Sequence, residues 1–155
     1  MYNRAPKDYK CPICAGLKGD TVNSLISDSD FIYKDEQVCA VINSFFIKGN
    51  KGHVIIIPNN HFENIYDIEQ NVLDSVNKLA KEVALAIRDT YQCDGVTILQ
   101  NNEPASEQHA FHYHLHVFPR YNGDKFHQNL LNKQNTTSNQ RKPYADKLRK
   151  YFNYA

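Results

Sequence analysis

The sequence predicts an α+β fold in which an antiparallel sheet is crossed by one long amphipathic helix, with a short helix at the C-terminus. Three observations carry that expectation. Short apolar runs bounded by turn residues lie on both sides of a single stretch of helical periodicity. The strands come in groups, without the regular strand and helix alternation that a parallel sheet needs. The chain of 155 residues has the size of one domain and can bury a core of its own.

Taken in order, FIYKDEQVCAVIN (residues 31–43) reads as a hairpin pair, and GHVIIIP (52–58) as a buried strand between a glycine and a proline. From Asp67 to about Tyr91, the residues Ile68, Val72, Val76, Leu79, Val83 and Ile87 recur at helical spacing, with charged residues on much of the intervening face. GVTILQN and AFHYHLHVF read as two further strands, separated by the polar loop NNEPASEQ. Residues 122–143 are rich in Asn, Gln, Thr and Lys and are expected as a long loop or mobile segment. A short helix, PYADKLRKYF, follows. The expected organisation is thus one domain over residues 1–121 and a polar, basic segment, 122–155, packed on it or extending it. No internal repeat is present.

Lys+Arg 18 against Asp+Glu 17 gives a net charge of +1, which provides no field for coating nucleic acid or a membrane surface. No apolar run approaches the ~20 residues of a spanning helix, and the start MYNRAPKDYK lacks the apolar segment of an export signal. A soluble protein of the cytoplasm is expected. In that reducing compartment, Cys39 and Cys93 read as small packing residues. Lys133, Arg141, Lys142, Lys147, Arg149 and Lys150 face only Asp146 in the C-terminal region. They form either a solvated face or a contact for phosphate or an acidic partner.

The most informative stretch is AFHYHLHVFPR. On a strand, alternate residues share a face, so His112, His114 and His116 line one side while Tyr113, Leu115 and Val117 enter the core. Three imidazoles on one face are a poor choice for packing, because each needs a hydrogen-bond partner when buried. Two chemistries suit them. One is metal ligation with an activated water; the other is nucleophilic catalysis by a neutral imidazole, with neighbouring donors on an anion. Gln108, Asn101 and Asn102 supply amide donors and no carboxylate lies in the ladder itself, which favours a phosphate anion over a cation. Separately, Cys11 and Cys14 form a Cys-x-x-Cys pair, half of a tetrahedral zinc site, for which histidines are the plausible further ligands. A thioredoxin-like redox role is disfavoured, since the pair does not open a helix after a strand.

The run QHAFHYHLHVFPR (108–120) resembles the signature of the histidine triad family. The similarity extends through CPIC, AVIN (40–43), GHVIIIP, HFENI from His61 and the long helix, and so covers roughly Lys10 to Tyr121. The resemblance implies a nucleotide-binding fold, a histidine triad domain over 1–121, and chemistry at phosphorus. His114 would attack the α-phosphate of a nucleoside phosphoramidate or dinucleoside polyphosphate, forming a nucleotidyl-histidine that water or another acceptor resolves. His116, Gln108, His53 and Asn101 match positions that hold the phosphate. Asn43 matches the ribose position, and Ile13 and Val41 positions lining a purine pocket. In the cysteine-bearing branch, the structural zinc ligands correspond to Cys11, Cys14, His61 and His112. A homodimer is expected on the same ground. The chain departs from the pattern at Glu103 and Glu107, where the family has glycines, and at His109; the two glutamates are expected to crowd the phosphate site. A nucleotide-binding regulatory protein with little turnover and a zinc-dependent hydrolase are the competing readings.

Overall fold

Residues 3–154 are described by the computed structural model. In chain order its elements are α1 (Pro12–Leu17), β1 (Phe31–Lys34), β2 (Val38–Ile42), β3 (Phe45–Phe46), β4 (Val54–Pro58), α2 (Gln70–Tyr91), β5 (Gly95–Gln100), β6 (Leu115–Arg120), α3 (Phe126–Asn129), β7 (Gln134–Asn135) and α4 (Ser138–Phe152). The sheet is antiparallel throughout, in the order β1-β2-β4-β6-β5. The expected hairpin is β1–β2, turned at Asp35, whose Oδ1 accepts from the amides of Gln37 and Val38 at 2.8 Å each. The α+β architecture and its long helix match the expectation.

Both faces of the central strands are covered, which is why VCAVI and VIIIP read as continuous apolar runs. Val38, Ala40, Ile42, Val54 and Ile56 pack under α2, which contributes Val72, Val76, Leu79, Val83 and Ile87. On the opposite face Cys39, Val41, Ile55 and Ile57 meet Ile13 of α1 and Ile26. The helix starts at Gln70, a little later than its periodicity suggests, because Asp67 is occupied before it: its carboxylate accepts from the amides of Glu63 and Asn64. Cys39 and Cys93 are buried, as packing residues should be. Among the described residues, no helix is long and apolar enough to cross a membrane.

Two expectations need correction. The strand expected from Ala110 begins only at Leu115; before it, the His112 amide turns back to the Ala110 carbonyl and the Tyr113 amide donates to Phe62. Leu115 and Val117 still enter the core under α2, together with Tyr113. Secondly, residues 122–143 are not a featureless loop. They form α3, then β7, which pairs with β3, and the first turn of α4. That helix begins a turn before Pro143 because Thr137 and Gln140 make a capping box, each side chain bonding the other's backbone amide. Ala145 and Leu148 then dock in the main core.

Candidate active site

Cys11 caps α1: its Sγ accepts from the Cys14 amide, and one helical turn brings the two thiols together. The pair therefore does open a short helix, though a turn and not a strand precedes it. His112 Nδ1 lies 3.5 Å from Cys11 Sγ and 3.4 Å from Cys14 Sγ, and His61 Nδ1 lies 3.3 Å from Cys14 Sγ. One ligand atom from each of Cys11, Cys14, His61 and His112 falls within 4.8 Å of the others. A tetrahedral zinc with ordinary bond lengths would set sulfur and nitrogen roughly 3.5 Å apart, so the donors fit the ion. The protonation pattern fits too. His112 Nε2 lies 3.0 Å from the Pro58 carbonyl, which can only accept, so Nε2 carries the proton and Nδ1 turns its lone pair on the thiols. Burial holds His112 down at about 4 and therefore neutral, the form that ligates, whereas burial and the adjacent Cys11 thiol push Cys14 up to about 11, so zinc would bind there with release of the thiol proton.

Beyond His112 the chain enters a cavity of about 530 Å³. Its floor is the sheet face carrying His116, whose register partners Ile55 on β4 and Leu99 on β5 line it as well. His53, just before β4, stacks on Phe118 at 4.2 Å between ring centroids and lies 5.5 Å from His116; His114 and His116 are 4.9 Å apart. His114 Nδ1 lies 2.6 Å from the His112 carbonyl. A carbonyl cannot donate, so the proton sits on Nδ1 and the lone pair on Nε2. Nδ1 of His53 and of His116 are buried without a hydrogen-bond partner among the described residues. Burial, reinforced by neighbouring imidazoles and the Lys133 ammonium, drives these rings below their usual range, His53 to about 3. All three are uncharged at neutral pH.

Of the residues singled out in the sequence, Ile13, Asn43, His53, Asn101, His114 and His116 line this cavity. Val41 lies behind it, buried in β2 among Ile13 and Ile55. Gln108 is not a lining residue either. Its Oε1 accepts from the Glu103 amide at 2.7 Å and its Nε2 donates to the Glu63 carbonyl at 2.6 Å, which fastens the 101–109 loop to the 61–66 turn. Asn43 Oδ1 accepts from the Phe45 amide. The two departures from the family pattern separate: Glu107 lines the cavity, whereas Glu103 faces Arg4 at 4.0 Å. Both have positive φ, Glu107 at 66° in the left-handed helical region and Glu103 at 64° with an extended ψ, conformations that glycine adopts without strain. His109 also lines the cavity, as do Leu130, Leu131 and Lys133 from the segment expected to be a loop. No periodic signal announces those last three, because they reach the site only through the pairing of β7 with β3.

Residues 25–123 match the family model described as HIT domain. The relative named Protein hit, from Bacillus subtilis, is 33% identical over 117 residues, 75% of each chain. A Zn-bound histidine triad family protein from Mycobacterium smegmatis superposes with a TM-score of 0.71 at 28% identity, over 91% of each chain. A Hit-like protein from Bartonella henselae gives a TM-score of 0.73 at 26% identity, over 92% of this chain and 97% of its own.

Proposed function

Because the chain belongs to the HIT domain family, we propose that it is a nucleotide hydrolase or nucleotidyl transferase that works through a covalent intermediate on His114. The observation that carries this reading is the bond from His114 Nδ1–H to the His112 carbonyl, which leaves a neutral ring with its free lone pair on Nε2. In the first step Nε2 bonds to the α-phosphorus as the bond to the leaving group breaks, and the leaving atom takes up a proton from solvent. The imidazolium so formed keeps its Nδ1–H on the carbonyl, which stabilises the developing charge. Water then adds to phosphorus, the P–N bond breaks, the lone pair returns to Nε2, and the mononucleotide leaves with loss of the water's proton.

The remaining polar groups have parts in the same scheme. Buried nitrogens of His53 and His116 that lack partners are suited to holding phosphoryl oxygens, with Asn101 beside them. Asn43 would meet the ribose. Ile13, with Leu25 and Ile26, supplies apolar wall for a purine. Gln108 acts one step removed, by fixing the loop that carries Asn101. The zinc that Cys11, Cys14, His61 and His112 would hold is structural, joining α1 to the 61–66 turn and to the start of the histidine ladder. A homodimer is supported by β5, which is an open sheet edge with Ile98 and the neighbouring Leu85 of α2 about half exposed. A monomer by light scattering at assay concentration would contradict that part.

The test is direct: the protein is incubated with adenosine phosphoramidate and with diadenosine polyphosphates, and products are followed by chromatography. Release of AMP from either class supports the reading. Tight AMP binding without turnover of any of them would favour a nucleotide-binding regulator instead.

A further inference from the structure

The family match ends at residue 123, and the next stretch of chain lines part of the cavity. It is fastened on both sides. At its start, the Asp124 carboxylate accepts from Asn50, Arg120 and the amides of Tyr121 and Phe126, and Asn129 Nδ2 donates to the carbonyls of Lys48 and Asp124. At its end, β7 pairs with β3, and the Thr136 amide and hydroxyl both donate to the Ser44 carbonyl. Residues 130–133 run between these two anchors. Leu130 packs beside Phe118 and Phe126, Leu131 is 73% exposed, and Lys133 follows; all three line the cavity.

Lys133 has no ion pair and no hydrogen bond among the described residues. Of the described residues lining the cavity, it is the single permanent cation, and Glu107 is the single carboxylate. The imidazoles that would hold an α-phosphate are neutral, so they offer hydrogen bonds and lone pairs but no countercharge. A substrate with an amine as leaving group asks for none beyond that. A substrate with further phosphates brings several negative charges to the mouth of the cavity, where Glu107 repels them and only Lys133 can neutralise them.

We propose that Lys133 is the specificity residue of this site: its ammonium holds the phosphate chain of the leaving group, so the protein acts on nucleoside polyphosphate conjugates in preference to nucleotides with an uncharged leaving group. The inference rests on the reading of His114 as nucleophile. With Glu103 turned towards Arg4, one negative charge at the cavity stands against one positive charge on a tethered segment.

The experiment compares the parent protein with Lys133→Gln and Lys133→Arg on diadenosine triphosphate and on adenosine phosphoramidate, at low ionic strength and at about 0.3 M salt. Lys133→Gln should lower kcat/KM for the polyphosphate about tenfold or more, and for the phosphoramidate by less than about threefold. The polyphosphate loss should shrink in salt, and arginine should restore most of it. Equal losses on the two substrates, or no loss on the polyphosphate, would overturn the role of Lys133 while leaving the nucleophile in place. A parent protein that turns over the phosphoramidate alone would do the same. Absence of turnover on both, with no adduct on His114, would overturn the underlying reading and the role of Lys133 with it.

Discussion

The His53 ring is 3% exposed, stacked on Phe118 and faced by His116, His114 and the Lys133 ammonium. Burial lowers its pKa from 6.5 to about 3. In the unfolded chain the ring therefore binds a proton at pH values where the folded one does not, so stability rises with pH across that interval. His53 contributes fully above about 6.5, and the contribution is lost as pH falls towards 3. At about 1.4 kcal/mol per pKa unit, a few kcal/mol are at stake. His53→Asn should accordingly flatten the dependence of Tm on pH between those limits, and a slope identical to the parent's would contradict the burial argument. Glu103 and Glu107 make a second test. Left-handed backbone costs an L-residue about 1–2 kcal/mol, of which glycine's extra unfolded-state freedom returns about 0.5–1. Each glycine replacement should therefore raise the unfolding free energy, read from the shift of the denaturant midpoint, by up to about 1.5 kcal/mol. A loss of stability would mean that the carboxylates hold the loop. The glycine expectation was visible in the sequence, from the family pattern; the φ values supply its physical reason.

Among the elements, α4 is tied to the cavity through one buried ion pair. Arg141 donates from Nε and one terminal nitrogen to the two oxygens of Asp30 at 2.7 and 2.8 Å, and its remaining donors reach the carbonyls of Leu25 and Thr136. It therefore braces the Ser24–Ile26 wall and the end of the 130–133 segment together. Arg141→Met should cost about 3–5 kcal/mol, since it strands a buried carboxylate, and should raise KM for nucleotide more than it lowers kcat. A thermal melt within a degree of the parent's would contradict this. The sheet and α2 were legible because a period of two or 3.6 betrays one-sided burial. The tail was not. Arg141 and Asp30 are 111 positions apart, and two residues of β7 are too few to show alternation. One signal of α4 does lie in the sequence, the Thr137 to Gln140 capping box, which outweighs the pull of Pro143 towards the first helical position.

For the molecule as a whole, the two clusters of chemistry share a residue. The His112 side chain turns to the thiols of Cys11 and Cys14, while its backbone carbonyl holds His114 in the tautomer that frees Nε2. Zinc should therefore be found at about one per chain by elemental analysis. Cys11→Ser should lower both the zinc content and Tm, because ligand binding to the native state alone stabilises it. Metal-free protein with an unchanged melt would remove zinc from the fold. The histidines that form the ladder were evident in the sequence, as was the Cys-x-x-Cys pair; their meeting at His112 needs the turn of residues 110–113 that only the folded chain displays. A covalent adduct on His114 can be detected as a change of mass. Protein mixed with adenosine phosphoramidate is quenched in alkaline denaturant, which spares a phosphorus–nitrogen bond, and its intact mass and peptides are determined. One AMP residue on His114, absent in His114→Ala although that variant still binds AMP within about threefold, is the predicted result. An adduct on another residue, or turnover undiminished in His114→Ala, would contradict it.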